Sequence, residues 1–425
     1  MISSAPVKRA IGVLAMLTLA ACGGSGSGTT PAAKTASDTG ITADEILLGS
    51  TIALSGPAAA YGTIAKASEA YFKYVNANGG VNGRKIKYNY LDDAYNPAQT
   101  VPLTKQLVEQ DKVFAMFGGL GTQPQVSVEQ YLNAKKVPQV FVATGDTRFS
   151  AEKDKYPYTF GWQPTYRGEA LIYAQTLLKN SPDAKVAVIY QNDDYGQDYL
   201  TGLKAGLGSK AASMIVATAN NEVGAPDVKS QVAALKQSGA DTLMIFETPS
   251  PAIKTIATVA AFGWHPTIYL NSVAAPVPYL GAAQKATGSP AAVNGILTVN
   301  YVLDNLDPAN ASAPGVVLFN KVMAQYYPDG KTTDAFNMYG FAVAYTMVDV
   351  LKKSGDNPTR KSLVEALNNF SEGDNPFLSK GVTAKNTPKD HFTITQEAVA
   401  KYDAAQTRYV QQGDFIDVRG KIVYP

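Results

Sequence analysis

The property of this chain that most restricts its fold is a rhythm. Short apolar runs of strand character alternate with segments whose apolar residues recur at helical spacing, and the alternation runs twice. Ile46 to Ala53 reads as a strand, Ser55-Gly56-Pro57 turns, and Ile64, Ala67, Tyr71, Tyr74 and Val75 trace a helix that Asn78-Gly79-Gly80 stops. Lys85 to Leu91 alternates as a strand, Pro97 to Gln110 is helical, and the apolar runs Val113 to Phe117 and Val137 to Val142 flank a helix from Thr122 to Ala134. Such a series predicts a parallel sheet covered by helices on both faces. The rhythm restarts with strands at Lys185 to Tyr190, Ser213 to Thr218, Thr242 to Phe246 and Thr267 to Asn271. Between the two series, the aromatic and proline-containing stretch Tyr156 to Arg167 predicts a crossover and not a core element. The fold class expected is α/β, with two Rossmann-like lobes. In open parallel sheets the crevice beyond the strands' carboxyl ends takes ligands, so the residues just after each strand are the candidates for function.

The N-terminal segment has a different logic. Lys8 and Arg9 precede an apolar run from Ile11 to Ala21, too short to span a bilayer, and small residues lead into Cys22. This layout resembles the lipobox of bacterial lipoproteins. The resemblance implies residues 1–21 as a signal peptide and Cys22 as the lipidation site of an extracytoplasmic, lipid-anchored protein. Residues 22–42 read as a flexible tether, since Gly23 to about Gly40 is almost all Gly, Ser, Thr, Ala, Pro and Lys with little to bury. About 385 residues follow the tether, more than one core usually supports. Lys and Arg number 37 against 35 Asp and Glu, which argues against nucleic acid as a partner. Cys22 is the only cysteine, so no internal disulfide forms.

Catalytic chemistry is hard to find. The two histidines, His265 and His391, stand apart from any serine or acid cluster, and no His or Cys spacing provides a metal site. Gly118-Gly119-Leu120-Gly121 lacks the remainder of either nucleotide fingerprint. The pairs Asp92-Asp93 and Asp193-Asp194 follow strands, where carboxylates cap helices and turns more often than they act as acid and base. No catalytic residue, metal or cofactor is expected. A hydrolase built on Ser55 or Asp92-Asp93 would need a base that the chain does not place nearby. What the strand ends carry is glycine and hydroxyl loops with aromatics nearby, suited to binding without bond-making.

The segments SGPAAAYG (55–62), NANGGVNGRKI (76–86), LDDAYNPAQTV (91–101) and YQNDDYGQDYLTGLK (190–204) together resemble the periplasmic Leu/Ile/Val-binding proteins, the type I solute-binding proteins of ABC importers. GWQPTYRGEA (161–170) and FVATGDTRF (141–149) resemble a branch that takes small organic acids, aromatics and amides. The resemblance implies a three-crossover hinge near residues 161–166, 299–301 and 377–385. Lobe 1 would comprise residues 43–163 and 302–378, and lobe 2 residues 164–301 and 379–425. It implies a monomer that delivers its solute to an importer permease; sensing for a membrane receptor is the alternative.

The same resemblance implies the ligand-binding residues. Tyr61 would lie along the cleft; Leu120, Gly121 and Thr122, with Thr144, Gly145, Asp146 and Thr147, would hold a solute carboxylate. Tyr195 would close from the second lobe, with Glu247 and Thr248 at another strand end. Trp162 and Tyr301, together with Tyr166, Phe336 and Tyr339, form an aromatic set near the crossovers that suits a ring-bearing solute. Where amino-acid binders of the family carry an acid for the ammonium, this chain has Asn271-Ser272-Val273. Either Asp146 or Glu247 substitutes for that acid, or the solute is not an α-amino acid.

Overall fold

The computed structural model describes residues 35–422. The signal segment and Cys22 lie outside them. The first series builds a five-stranded, wholly parallel sheet in the order β2-β1-β3-β4-β5. Its strands are β1 (Glu45–Ile52), β2 (Lys85–Asp92), β3 (Ala115–Phe117), β4 (Gln139–Val142) and β5 (Thr159–Gly161), with helices α1 (Thr63–Ala77), α2 (Pro97–Lys105), α3 (Thr122–Ala134) and the single turn α4 (Arg148–Ala151) between them. The helix expected up to Gln110 widens into a π-type turn at Gln106–Gln110, which sends Leu107 and Val108 into a small core with Val113, Met116, Val128 and Leu132. Thr159–Gly161 was expected to be crossover. It is instead a buried edge strand, three residues long and therefore too short to leave a period in the sequence.

After Gly161 the chain enters the second lobe through α5 (Tyr166–Asn180). There β6 (Val186–Gln191), α6 (Asp194–Leu207), α7 (Ala211–Met214), β7 (Ile215–Asn221), α8 (Lys229–Gln237), β8 (Thr242–Phe246), α9 (Pro249–Ala261), β9 (Thr267–Leu270), α10 (Val277–Thr287) and β10 (Leu297–Asn300) follow in turn. The chain then returns to the first lobe with α11 (Pro314–Tyr326), α12 (Ala335–Lys353), α13 (Arg360–Asn368), β11 (Ser371–Glu372) and β12 (Ala384–Lys385). Finally β13 (Gln396–Asp403), β14 (Arg408–Gln411) and β15 (Ile416–Asp417) close the second sheet, whose main path is β14-β13-β10-β9-β8-β6-β7. Strands β6 to β10 pair in parallel; β13 and β14 join antiparallel. The long helix α12 lies directly on α1 because Gly340 carries no Cβ: one would stand 2.6 Å from the Ile64 carbonyl oxygen. Ser68 donates to the Gly340 carbonyl at 2.9 Å across that contact.

Three strands of chain cross between the lobes and are bonded to one another. Ile394 N–H donates to Trp162 O at 2.9 Å, Ser379 N–H to Tyr301 O at 2.9 Å, and Leu303 N–H to Phe377 O at 2.9 Å. The third passage comes later than expected. Residues from 379 onward were assigned to the second lobe, with the crossing at 377–385, yet Val382, Ala384 and Ile394 are buried in the first-lobe core, and the chain joins the second sheet only at Gln396. The short β11-β12 pair holds this segment against the first lobe, a pairing between distant residues that no local pattern announces. His391 belongs to this hinge. Its ring stacks on Phe160 at 4.1 Å and its Nδ1 lies 2.8 Å from the Thr159 carbonyl oxygen, while burial lowers its pKa and keeps it neutral.

Candidate functional site

Between the lobes, beside the crossovers, lies a cavity of about 130 Å³. Its wall is dominated by tyrosines: Tyr61 and Tyr95 from the first lobe, Tyr166 and Tyr195 from the second, and Tyr301 and Tyr339 at the hinge, with Phe336 beside Tyr61 at 4.8 Å. Burial raises the phenols of Tyr61, Tyr95, Tyr195 and Tyr301 well above their ordinary pKa, so they face the cavity as neutral hydroxyls. Gln163, Thr248, Ser272, Asn300 and Asn305 add amide and hydroxyl groups. Among the described residues no Lys, Arg or His lines this cavity, and Asp304 is its one carboxylate. Burial raises the Asp304 pKa, which disfavours its charge.

Ten of the candidate residues meet at this wall: Tyr61, Leu120, Gly121, Tyr195, Thr248, Ser272 and Tyr301, with Tyr166, Phe336 and Tyr339 of the aromatic set. Trp162 stands behind it, fully buried, with its ring edge-on to Tyr339 at 4.9 Å and its indole N–H donating to Thr346 at 3.1 Å. Glu247 turns into the second lobe, where Thr255 donates to it at 2.6 Å, and burial pushes its pKa up to about 7. Thr122 and Thr144 bond one another at 2.7 Å outside the cavity lining, beside Gly145.

Asp146 and Thr147 also differ from expectation. They serve as a clasp between lobes. The Thr147 N–H and hydroxyl donate to Asp198 of α6 at 3.0 and 2.7 Å, and Arg148 bridges Asp146 at 3.2 Å and Asp194 at 2.8 Å. Burial, then the neighbouring Asp198, push the Asp146 pKa up to about 7. Tyr61 adds a bond to the Val273 carbonyl oxygen across the cleft at 3.0 Å. The chain end of β4 thus points its polar groups at the opposite lobe's helix and away from the cavity. That preference depends on lobe closure, to which local sequence is blind.

The acid missing after β9 is also accounted for. Ser272 is held from behind by Glu169, which accepts from its N–H and its hydroxyl, both at 2.7 Å. Tyr173 and Tyr199 donate to the same carboxylate at 2.7 and 2.8 Å. Glu169 is 1% exposed and does not line the cavity, so it positions Ser272 and does not itself meet a solute.

Tyr95, Gln163 and Tyr409 line the cavity without having been singled out. Tyr95 had a signal. Ala94 and Tyr95 both adopt left-handed backbone, at φ +52° and +62°, which costs energy for residues with a Cβ. The paired carboxylates hold this turn: Asp92 accepts from Ala94 N–H at 2.9 Å, and Asp93 from Tyr95 N–H at 3.0 Å. The pair therefore shapes the loop that carries Tyr95, whose ring lies against Gly121. Asp193 likewise caps α6, accepting from Gly196 N–H at 3.2 Å. Tyr409 enters from β14, far along the chain, and nothing near it in sequence marks it.

This arrangement agrees with what the chain is similar to. The model of the family described as periplasmic binding protein matches residues 45–407. Leu/Ile/Val-binding protein homolog 3 of Brucella melitensis biotype 1 is 30% identical over 201 residues, which span 47% of this chain and 53% of that protein. Homolog 1 of Brucella abortus is 25% identical over 321 residues, 74% of this chain and 80% of that protein. Among solved structures, the solute-binding protein of an ABC transporter from Rhodopseudomonas palustris BisB5, in complex with 3,4-dihydroxybenzoic acid, has the same fold. Its TM-score is 0.74 at 18% identity, covering 89% of this chain and all of that one. Matched along nearly all of its folded length, the chain belongs to the type I periplasmic binding proteins of the Leu/Ile/Val-binding family.

Proposed function

We propose that this protein is a lipid-anchored, extracytoplasmic monomer that encloses a small ring-bearing organic solute between its lobes and delivers it to an ABC importer. The observation that carries the reading is the cavity wall: seven tyrosines and a phenylalanine, several neutral hydrogen-bonding groups, and no cationic side chain among the described residues. Aromatic faces suit a ring, and phenols and amides orient its polar substituents. An α-amino acid fits poorly, because no cationic side chain among the described lining residues meets its carboxylate, and burial disfavours the charged form of Asp304, the one carboxylate there for its ammonium. That a structural relative binds a dihydroxylated benzoic acid supports a ring-bearing solute for this fold. The alternative of a sensor feeding a receptor uses the same cavity.

A hydrolase reading finds no support in these residues. Asp92 and Asp93 are engaged in holding the Tyr95 turn, and His391 is stacked in the hinge.

A thermal-shift screen tests the proposal, since a ligand that binds only the folded state raises the melting temperature by mass action. Phenols, aromatic amides and aromatic alcohols are expected to stabilise the protein, and leucine, isoleucine and valine are not. Stabilisation by the branched-chain amino acids alone would overturn the assignment. Tyr195 is 2% exposed and packs edge-on to Tyr166 at 4.9 Å, so Tyr195→Ala is expected to weaken binding of the best screened compound by roughly 1–3 kcal/mol in calorimetry. The anchor is tested separately. Cys22→Ser should leave the melting temperature unchanged and move the protein from the membrane to the soluble fraction; wash-resistant membrane attachment of that variant would contradict lipidation.

A further inference from the structure

We propose that Ser272 selects solutes that bring a hydrogen-bond donor to it: its own proton is committed to Glu169, so it meets the cavity as an acceptor. The inference rests on the reading of this cavity as the solute site, and adds the polarity that the site demands.

The commitment is made behind the wall. Ser272 follows β9 and lines the cavity, with its N–H donating to Glu169 Oε1 and its hydroxyl to Glu169 Oε2, both at 2.7 Å. A serine hydroxyl carries one proton and two lone pairs, so with the proton placed only lone pairs remain for a solute. This direction does not depend on the charge of Glu169. A proton on that buried carboxyl would sit on Oε1, because the Tyr173 hydroxyl, 2.7 Å away, can accept it and give its own to the Leu270 carbonyl oxygen at 2.9 Å. Oε2 stays an acceptor in either state, taking the protons of Ser272 and of Tyr199, the latter at 2.8 Å.

Other hydroxyls on the wall are turned the same way. Tyr61 donates to the Val273 carbonyl oxygen at 3.0 Å, Tyr409 to the Ala275 carbonyl oxygen at 2.6 Å, Tyr339 to Gln163 at 3.1 Å and Thr248 to Gln191 at 3.1 Å. Tyr195 is the exception. Asn271 accepts from the Glu247 N–H at 3.3 Å through its side-chain oxygen, which leaves its amide nitrogen to donate to the Tyr195 hydroxyl. Among the described residues no acceptor takes the Tyr195 proton, which is left for the solute.

A solute hydroxyl suits this pair, accepting from Tyr195 and donating to Ser272, the residue next to the Asn271 that holds Tyr195. A primary or secondary amide does the same. A ketone, ether or carboxylate oxygen brings lone pairs to the lone pairs of Ser272, and the mismatch is relieved only if the serine proton leaves Glu169. The solute class is thus an aromatic alcohol, phenol or N–H amide, with aromatic ketones, ethers and acids selected against.

The test compares 1-phenylethanol with acetophenone, matched in ring and size and different in that only the alcohol donates, by calorimetry on the full folded chain. The parent protein is expected to bind the alcohol about ten-fold or more tightly. Ser272→Ala, which leaves Glu169 its bond from Tyr199, is expected to weaken the alcohol until the two compounds bind within about two-fold of one another. Glu169 acts through Ser272 as a positioning residue. Glu169→Met frees the serine proton and should raise the affinity for acetophenone relative to the alcohol, whereas a merely structural role would weaken both alike. Should that variant fail to fold, Ser272→Ala carries the test alone. Acetophenone binding to the parent as tightly as the alcohol, or a preference for the alcohol that survives Ser272→Ala, would overturn the proposal. Either result is distinct from failure of the cavity reading, which would appear as Tyr195→Ala leaving the affinities of both compounds unchanged.

Discussion

Replacing Trp162 by alanine is expected to lower the stability of the folded chain by about 3–5 kcal/mol, the range for deleting a large aromatic from a packed interior. The indole is fully buried at the first crossover, where it supports both cavity-lining Tyr301, at 6.2 Å, and Tyr339, at 4.9 Å. Its N–H donates to Thr346, which is tied in turn to Glu372 at 3.0 Å and Asn375 at 3.1 Å. The substitution therefore opens a void and removes one member of a buried polar network, two effects of the same sign. Urea unfolding should show a lower midpoint at unchanged slope. Solute affinity should fall with it, because Tyr301 and Tyr339 lose the surface that orients them. A stability change under about 1 kcal/mol would mean that the hinge aromatics are not packed as described.

The second large effect is a pH dependence. Glu129 on α3 is 3% exposed, its Oε1 has no hydrogen-bond partner, and burial, then repulsion from Glu152, push its pKa up to about 8 from 4.5. A carboxyl whose folded pKa lies above its unfolded value holds its proton more tightly when folded. Its contribution is most favourable below pH 4.5 and is lost as pH rises toward 8. At pH 7 the loss amounts to about 3 kcal/mol. Glu129→Gln abolishes the titration, so the variant should be more stable than the parent by about 2–3 kcal/mol at pH 7, with the difference shrinking toward zero by pH 4.5. Parallel stability profiles for the two proteins between pH 4.5 and 8 would contradict this. Asp146, Glu247 and Glu372, each raised to about 7 by burial first, act in the same direction. The parent protein should thus gain stability as pH falls from 8 toward 5.

Local pattern was enough to determine the alternation of strands and helices, the parallel pairing it requires and the two-lobed class. Each of those follows from periodicity and turn residues within a few positions: Thr122–Ala134 and Thr242–Phe246 fall where the sequence places them. The strand-end rule also brought Tyr61, Gly121, Tyr195, Thr248 and Ser272 to the cavity, because a parallel sheet directs all its carboxyl ends to one side. Only tertiary structure could decide the rest. Whether a strand-end group faces the solute or the other lobe depends on how the lobes meet, which is why Thr147 bonds Asp198 and Asp146 pairs with Arg148. The third crossover is placed by the pairing of β11 with β12 and by the burial of Ile394, contacts between segments remote in sequence. The sequence places Tyr166 in an aromatic set near the crossovers and goes no further. That its N–H bonds the Gly145 carbonyl oxygen and its ring packs on Gly145 emerges only where α5 begins, since hydrogen bonding and close packing act through space and leave no period along the chain.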